Sequence, residues 1–201
     1  MLKIEDVGDG IRCIGLNRPE KRNAIGVEMT LALEEVLVRT KSDADVRIIV
    51  FHGLGGHFSA GMDMKDFFDS TTRPAEMLQR ARAATEHWRI GLLREMPQTL
   101  ITAARGYCLG GALPILAASR VVLATRDAKF GLPEINFGFV PGGQIVKAVG
   151  EVMTPRGLAY AALTGRAFDA EQAQRWGLVS TIVDGDPLAS AVALARTLNL
   201  P

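Results

Sequence analysis

The sequence predicts a one-domain α/β fold, and three observations predict it. Strand-like apolar runs alternate with segments whose apolar positions recur at helical spacing. Two of the runs, Arg47 to Phe51 and Thr99 to Ala104, each lead into a glycine turn that opens a helix. Apolar residues make up 48% of the 201-residue chain, enough to bury a full core and too many for a disordered chain.

Each element follows from local signals. Residues 2–7 and 11–16 read as a hairpin around Gly8-Asp9-Gly10. The loop Asn17 to Asn23 is basic, and its simplest reading is a solvated turn. Met29, Leu33, Val36 and Leu37 mark one face of a helix from Val27 to Thr40. After the strand Arg47 to Phe51, Gly53-Leu54-Gly55 invites comparison with a dinucleotide fingerprint. It fails, because the third glycine position is Phe58 and no helix can start directly after Gly56. Gly61-Met62-Asp63 opens a helix with Asp63 in its first turn, where a carboxylate favours the dipole. The segment 66–80 is polar and mixed and reads as a mobile stretch over a site. A long helix from about Pro74 to Arg94 ends before Pro97.

The strand Thr99 to Ala104 then runs into the glycine turn Arg105 to Gly111 and a helix from Ala112 to Ala118. Strands Val121 to Thr125 and Lys129 to Gly131 lead to Pro133-Glu134, and Gly142-Gly143 ends this stretch. Helices follow over Gln144 to Val149 and, behind the Thr154-Pro155 cap, over Arg156 to Leu163. Asp169 caps Ala170 to Trp176, Gly177 closes that helix, and Leu178 to Val183 reads as a strand. Asp186-Pro187 starts a last helix with Leu188, Val192, Ala195 and Leu198 on one face. No internal repeat is visible.

Composition excludes several function classes. A net charge of +1 gives no global basic field to hold nucleic acid, although a local patch can bind a phosphorylated small molecule. Cys13 and Cys108 lie far apart with no C-x-x-C, which fits a reducing compartment and no metal. His52, His57 and His87 have no metal-ligand spacing. The N-terminus lacks the order of a signal peptide and no apolar run reaches membrane-spanning length, so the expected location is the cytoplasm, with no membrane partner.

Chemistry is expected where the two glycine turns meet. A tight turn at a helix start leaves backbone N–H groups unpaired, and the helix dipole favours negative charge there. Two such turns can supply two converging donors to an oxygen about to become anionic. Glu134 stands 23 residues after Gly111 in a largely apolar segment. It has two readings. One is a surface salt bridge. The other is an acid/base group whose pKa is raised by burial beside Phe130, Leu132, Ile135 and Phe137.

Three motifs in order, Phe58 to Asp63, Ala104 to Gly111 and Phe130 to Ile135, resemble the crotonase family, also called the enoyl-CoA hydratase/isomerase family. The resemblance runs from Leu16-Asn-Arg-Pro-Glu-Lys-Arg-Asn-Ala24 to Trp176-Gly-Leu-Val179. It implies a crotonase-like spiral of repeated β-β-α units, with residues 1–185 as the acyl-CoA-binding core. Residues 186–201 would begin a C-terminal helical region whose further helices, usual in the family, the sequence ending at Pro201 does not include. The implied substrate is an acyl thioester of coenzyme A, with no separate cofactor because CoA belongs to the substrate. The implied assembly is a homotrimer or homohexamer. Met62 and Gly111 match the two backbone oxyanion donors, and Glu134 matches a catalytic glutamate. Arg22, Ala24, Ala60, Met62, Asp63, Met64, Lys65, Gly110, Gly111 and Pro114 match substrate-binding positions. Arg18, Lys21 and Arg22 fall along the CoA nucleotide.

One position departs from the pattern. Hydratases of the family carry a first glutamate three residues after the oxyanion glycine, and here that residue is Pro114. Proline carries no proton and holds no water, so the remaining glutamate resembles the one-base arrangement of the family's isomerases. A hydratase with a non-standard water site and a non-catalytic acyl-CoA-binding relative are the alternatives. A thioester hydrolase using Cys108 is a further one, against a structural core cysteine.

Overall fold

The computed structural model describes residues 1–68, 71, 73–142 and 144–198. Part of the segment 66–80, Gly143 and Pro201 therefore lie outside the described residues.

The expected hairpin forms from β1 (Leu2–Asp6) and β2 (Ile11–Leu16), paired antiparallel with Leu2 opposite Leu16. In β2 only Arg12 is not fully buried, and β3 (Ile48–Gly53) and β4 (Thr99–Ala104) are almost as apolar. Strands buried along their whole length belong inside a parallel sheet covered on both faces. β2, β3, β4, β6 (Val121–Thr125) and β9 (Thr181–Val183) make such a sheet, with β1 at its edge. The pleat sends alternate residues to opposite faces. Ile14, Leu16, Ile49 and Phe51 meet Met29, Leu33 and Leu37 of α1 (Val27–Lys41). Ile11, Cys13, Ile48, Val50 and Ile101 meet Ala191 and Ala195 of α9 (Pro187–Thr197).

A second small sheet crosses from the first. The segment 105–111, expected as a glycine turn, contains a short strand, β5 (Tyr107–Leu109). Its pairing is non-local. Ser59 N–H donates to Tyr107 O at 2.8 Å, Leu109 N–H donates to Ser59 O at 3.0 Å, and Cys108 lies opposite Phe130 of β7 (Lys129–Gly131). β8 (Phe168–Asp169) completes this sheet. Residues Leu178 and Val179, expected in a strand, instead turn their N–H groups back to Ala173 O and close α8 (Ala170–Arg175), so β9 begins later.

Two helices near the glycine turns differ from expectation. α2 (Met64–Phe68) starts after Asp63, whose Oδ1 accepts from Asp66 N–H at 3.2 Å. Asp63 is thus the cap rather than a first-turn residue. The long helix forms as α3 (Ala75–Glu86) and α4 (Leu93–Glu95), joined by a π-helical turn, His87–Leu92. That wide turn places both Trp88 and Arg89 inside. α5 (Leu113–Ala118) follows a 3₁₀ turn, Gly110–Ala112, and holds Pro114 in its first turn. α6 (Ile145–Gly150) and α7 (Pro155–Thr164) form as the sequence predicts, the latter capped by Thr154.

Candidate active site

Asn23 fixes the first half of the site. It is fully buried at φ +55°, and its side-chain amide donates to Leu54 O at 2.8 Å and His57 O at 2.7 Å. Ser59 Oγ donates to Asn23 O at 2.8 Å and accepts from Gly61 N–H at 3.1 Å. Gly61 O and Asp63 N–H then bond to Ile25. In an extended segment neighbouring amides point to opposite sides, so the Met62 N–H faces away from Ile25. Gly61 takes φ +92°, and a Cβ there would lie 2.8 Å from Leu109 O.

The second half is the turn into α5. Gly111 is the second residue of its 3₁₀ turn, where N–H groups have no acceptor within the helix. A Cβ on Gly111 would sit 2.6 Å from Met62 Cγ, which shows how closely the two turns approach. Gly110 takes φ +50°, and a Cβ there would lie 2.6 Å from Glu134 Oε1. Glycine at this position lets the carboxylate approach the backbone.

These segments border a cavity of about 640 Å³. Ala60, Met62, Met64, Gly110, Gly111 and Glu134 all line it. Phe67 and Phe68 from α2 and Phe137, Phe139 and Val140 from beyond Glu134 give it apolar walls, with the Phe68 and Phe139 rings stacked at 6.4 Å. The polar side comes from Arg82, Thr85 and Glu86 of α3 and from Arg89.

Glu134 is half-buried, and its Oε2 is shielded from solvent with no hydrogen-bond partner. Desolvation raises its pKa above the ordinary carboxylate value. A bond to its own backbone and the positive charge of Arg89 oppose that rise without cancelling it. This geometry fits the acid/base reading, and Glu134 forms no salt bridge among the described residues.

Other expected positions lie elsewhere. Arg22, Ala24, Asp63, Lys65 and Pro114 do not line the cavity. Arg22 is exposed, its guanidinium 5.4 Å from the Tyr107 ring, and Lys65 is exposed on α2. Asp63 is held by Arg18 at 2.7 Å, so Arg18 serves an ion pair inside the fold. Pro114 is buried. Cys108 is buried, off the cavity wall, and burial pushes its thiol pKa up, all features of a core cysteine. Among the described residues no cluster of potential metal ligands occurs, and no helix is long and apolar enough to cross a membrane.

Arg89 was not singled out in the sequence. It is 5% exposed, and its Nη2 donates to Gly111 O at 3.1 Å and lies 3.1 Å from Met62 Sδ. The available signal was a charge inside the apolar run Trp88-Arg89-Ile90-Gly91-Leu92-Leu93. A straight α-helix gives no reason to turn it inward.

Two close-packed glycine turns beside a half-buried carboxylate, on the wall of a cavity in an α/β fold, make an arrangement suited to an enzyme. The chain belongs to the enoyl-CoA hydratase/isomerase family, whose model matches residues 6–200, and the family acts on CoA thioesters. The chain is similar to hydroxycinnamoyl-CoA hydratase-lyase of Pseudomonas fluorescens, 35% identical over 202 residues that cover 98% of this chain and 72% of that protein. It is also similar to 1,2-epoxyphenylacetyl-CoA isomerase of Escherichia coli K12, 31% identical over 97% of this chain and 75% of the other. Among solved structures, an enoyl-CoA hydratase/isomerase from Mycobacterium paratuberculosis superposes with a TM-score of 0.89 at 25% identity, covering 100% of this chain and 79% of that one. The expected crotonase-like spiral is thereby shown.

Proposed function

We propose that the chain forms the enolate of an acyl-CoA thioester and moves one proton with Glu134, shifting a double bond between the β,γ and α,β positions better than it hydrates one. The observation that carries this reading is the close approach of the Glu134 carboxylate to the Gly110-Gly111 turn, with Pro114 where a second carboxylate is expected. The Glu134 carboxylate takes the proton from the α-carbon, and the electron pair moves to the thioester oxygen. Met62 N–H and Gly111 N–H hold that oxygen. The same proton returns at the γ-carbon, so no water is consumed. Backbone donors suit the task because they are fixed before reaction and do not titrate.

A second reading is hydration, and the position of Glu86 on the cavity wall favours it. A carboxylate there is available to orient a water. A panel of 2-enoyl-, 3-enoyl- and hydroxyacyl-CoA substrates, read by mass spectrometry with Glu134→Gln and Glu86→Gln, separates the two. One positioned acid/base group is worth roughly a hundred- to ten-thousand-fold. Isomerisation should fall by that range in Glu134→Gln and survive Glu86→Gln. Fast hydration that depends on Glu86 would replace the isomerase reading with the second one. We also propose a homotrimer or homohexamer; light scattering that finds only monomer would count against it.

A further inference from the structure

Arg89 is a buried cation without a buried anion bonded to it. Its Nε has no hydrogen-bond partner, and its Nη2 bonds only to Gly111 O and the Met62 sulfur. Desolvation pulls its pKa down to about 10, so it remains charged at neutral pH. A guanidinium in this state lowers the stability of the fold. The Trp88 ring, 5.2 Å from the guanidinium, and the charge of Glu134 offset part of this cost, and negative charge developing in the site would offset more.

We propose that Arg89 is a positioning residue for the enolate reaction: it ties together the two segments that carry the oxyanion donors and favours negative charge on Glu134 and on the thioester oxygen. The inference rests on the enolate reading above. Its first support is geometric. One nitrogen of Arg89 touches both Met62 and Gly111, the residues proposed above as the two oxyanion donors. The second is local structure. The π-helical turn His87–Leu92 turns Arg89 inward next to Trp88, and such turns are recurrent at functional sites. The third is electrostatic. The charged groups facing this region are Glu134, Arg82 and Glu86 on the cavity side and Arg94 and Lys147 on the small hollow behind Arg89. Arg94 is paired with Glu151. Arg89 exchanges no proton: the α-proton goes to Glu134 and the electron pair to the oxygen.

The test is α-hydrogen exchange of an acyl-CoA in deuterated buffer, read by mass spectrometry, in Arg89→Met and Arg89→Lys. This readout follows enolate formation whether the final reaction is isomerisation or hydration. Arg89→Met should slow exchange at saturating substrate by about tenfold or more, below the roughly hundredfold cost of a lost donor because its action is indirect. The acid limb of the pH profile should move to higher pH, because a cation that lowers the Glu134 pKa is gone. Melting temperature should hold or rise. Arg89→Lys keeps the charge and should retain the limb and part of the rate. Wild-type exchange with an unmoved limb in Arg89→Met overturns the proposal. So does a loss of rate that tracks a loss of melting temperature with the limb in place, the mark of a merely structural arginine. No exchange in the wild type would instead sink the enolate reading, and this inference with it; failure of Arg89 alone leaves wild-type exchange intact.

Discussion

At the scale of single residues, the burial of Glu134 bears on stability as well as on the proton transfer proposed for it. Its pKa in the fold is raised by desolvation, so the ionised form is disfavoured relative to the unfolded chain. The sign follows. Below the ordinary glutamate value, about 4.3, the group is protonated in both states and costs nothing. As pH rises through the window up to the raised value, the folded state holds a proton that the unfolded state has released, and stability falls. Glu134→Gln should therefore melt higher than the wild type at pH 8, with the gain fading toward pH 4. Equal melting temperatures across that range would mean that burial does not perturb the carboxylate. Gly110 is the matching steric case. Gly110→Ala places a methyl group 2.6 Å from Glu134 Oε1 at φ +50°. Displacing a catalytic group by about 1 Å can cost a hundredfold, so turnover should fall on that order in a folded protein. Steady-state kinetics with near-wild-type kcat would remove Gly110 from the approach of the carboxylate.

At the scale of elements, α2 is where the sequence reading and the structure part most usefully. Asp63 matched a substrate-binding position, yet it caps α2 and pairs with Arg18. Both partners are mostly buried, at 20% and 16% side-chain exposure. The pair thus ties the basic loop to the helix that carries Phe67 and Phe68 onto the cavity wall. Asp63→Ala should cost about 1–2 kcal/mol through the lost cap, with Arg18→Met costing a similar amount and the double variant less than the sum. Urea unfolding of the four proteins measures this; strict additivity would mean the two side chains do not interact. The helices and long strands were legible because their signals are local: Thr154-Pro155, Asp169 and Asp186 all cap as read. β5 was not, because three residues pair with Ser59 and β7 far along the chain and leave no period to detect. The π-helical turn was not legible for a related reason: its period departs from the one used to find helices.

At the scale of the whole molecule, the alternation of apolar strands with helices was readable, whereas the parallel pairing of the strands and the approach of the two glycine turns needed either the three-motif resemblance or the fold itself. Met62, Gly111 and Glu134, singled out where chemistry and motif coincide, do line the cavity; Arg89 and the aromatic walls were not singled out, because neither backbone turns nor acid/base types mark them. Those walls bear on binding. Phe68, Phe137, Phe139 and Val140 line the cavity yet remain 51–77% exposed, a contiguous apolar patch at its open side. Exposed apolar surface of this kind marks a ligand or partner site, and an acyl chain lying across it would remove it from water. Burying one methylene gains about 0.8 kcal/mol, or up to roughly fourfold in affinity. Saturated acyl-CoAs of increasing length should therefore bind with rising affinity, approaching that increment per carbon until the cavity is filled, and with increasingly negative heat-capacity change. We propose that the exposed Lys21 and Arg22 meet the CoA portion, so the free acids, which lack it, should bind far more weakly at every length. Phe139→Ala should flatten the length dependence without abolishing binding of the shortest thioester. Calorimetry across the series decides the matter: affinity independent of chain length, or equal for a free acid and its thioester, would show that the apolar walls serve something other than the acyl group.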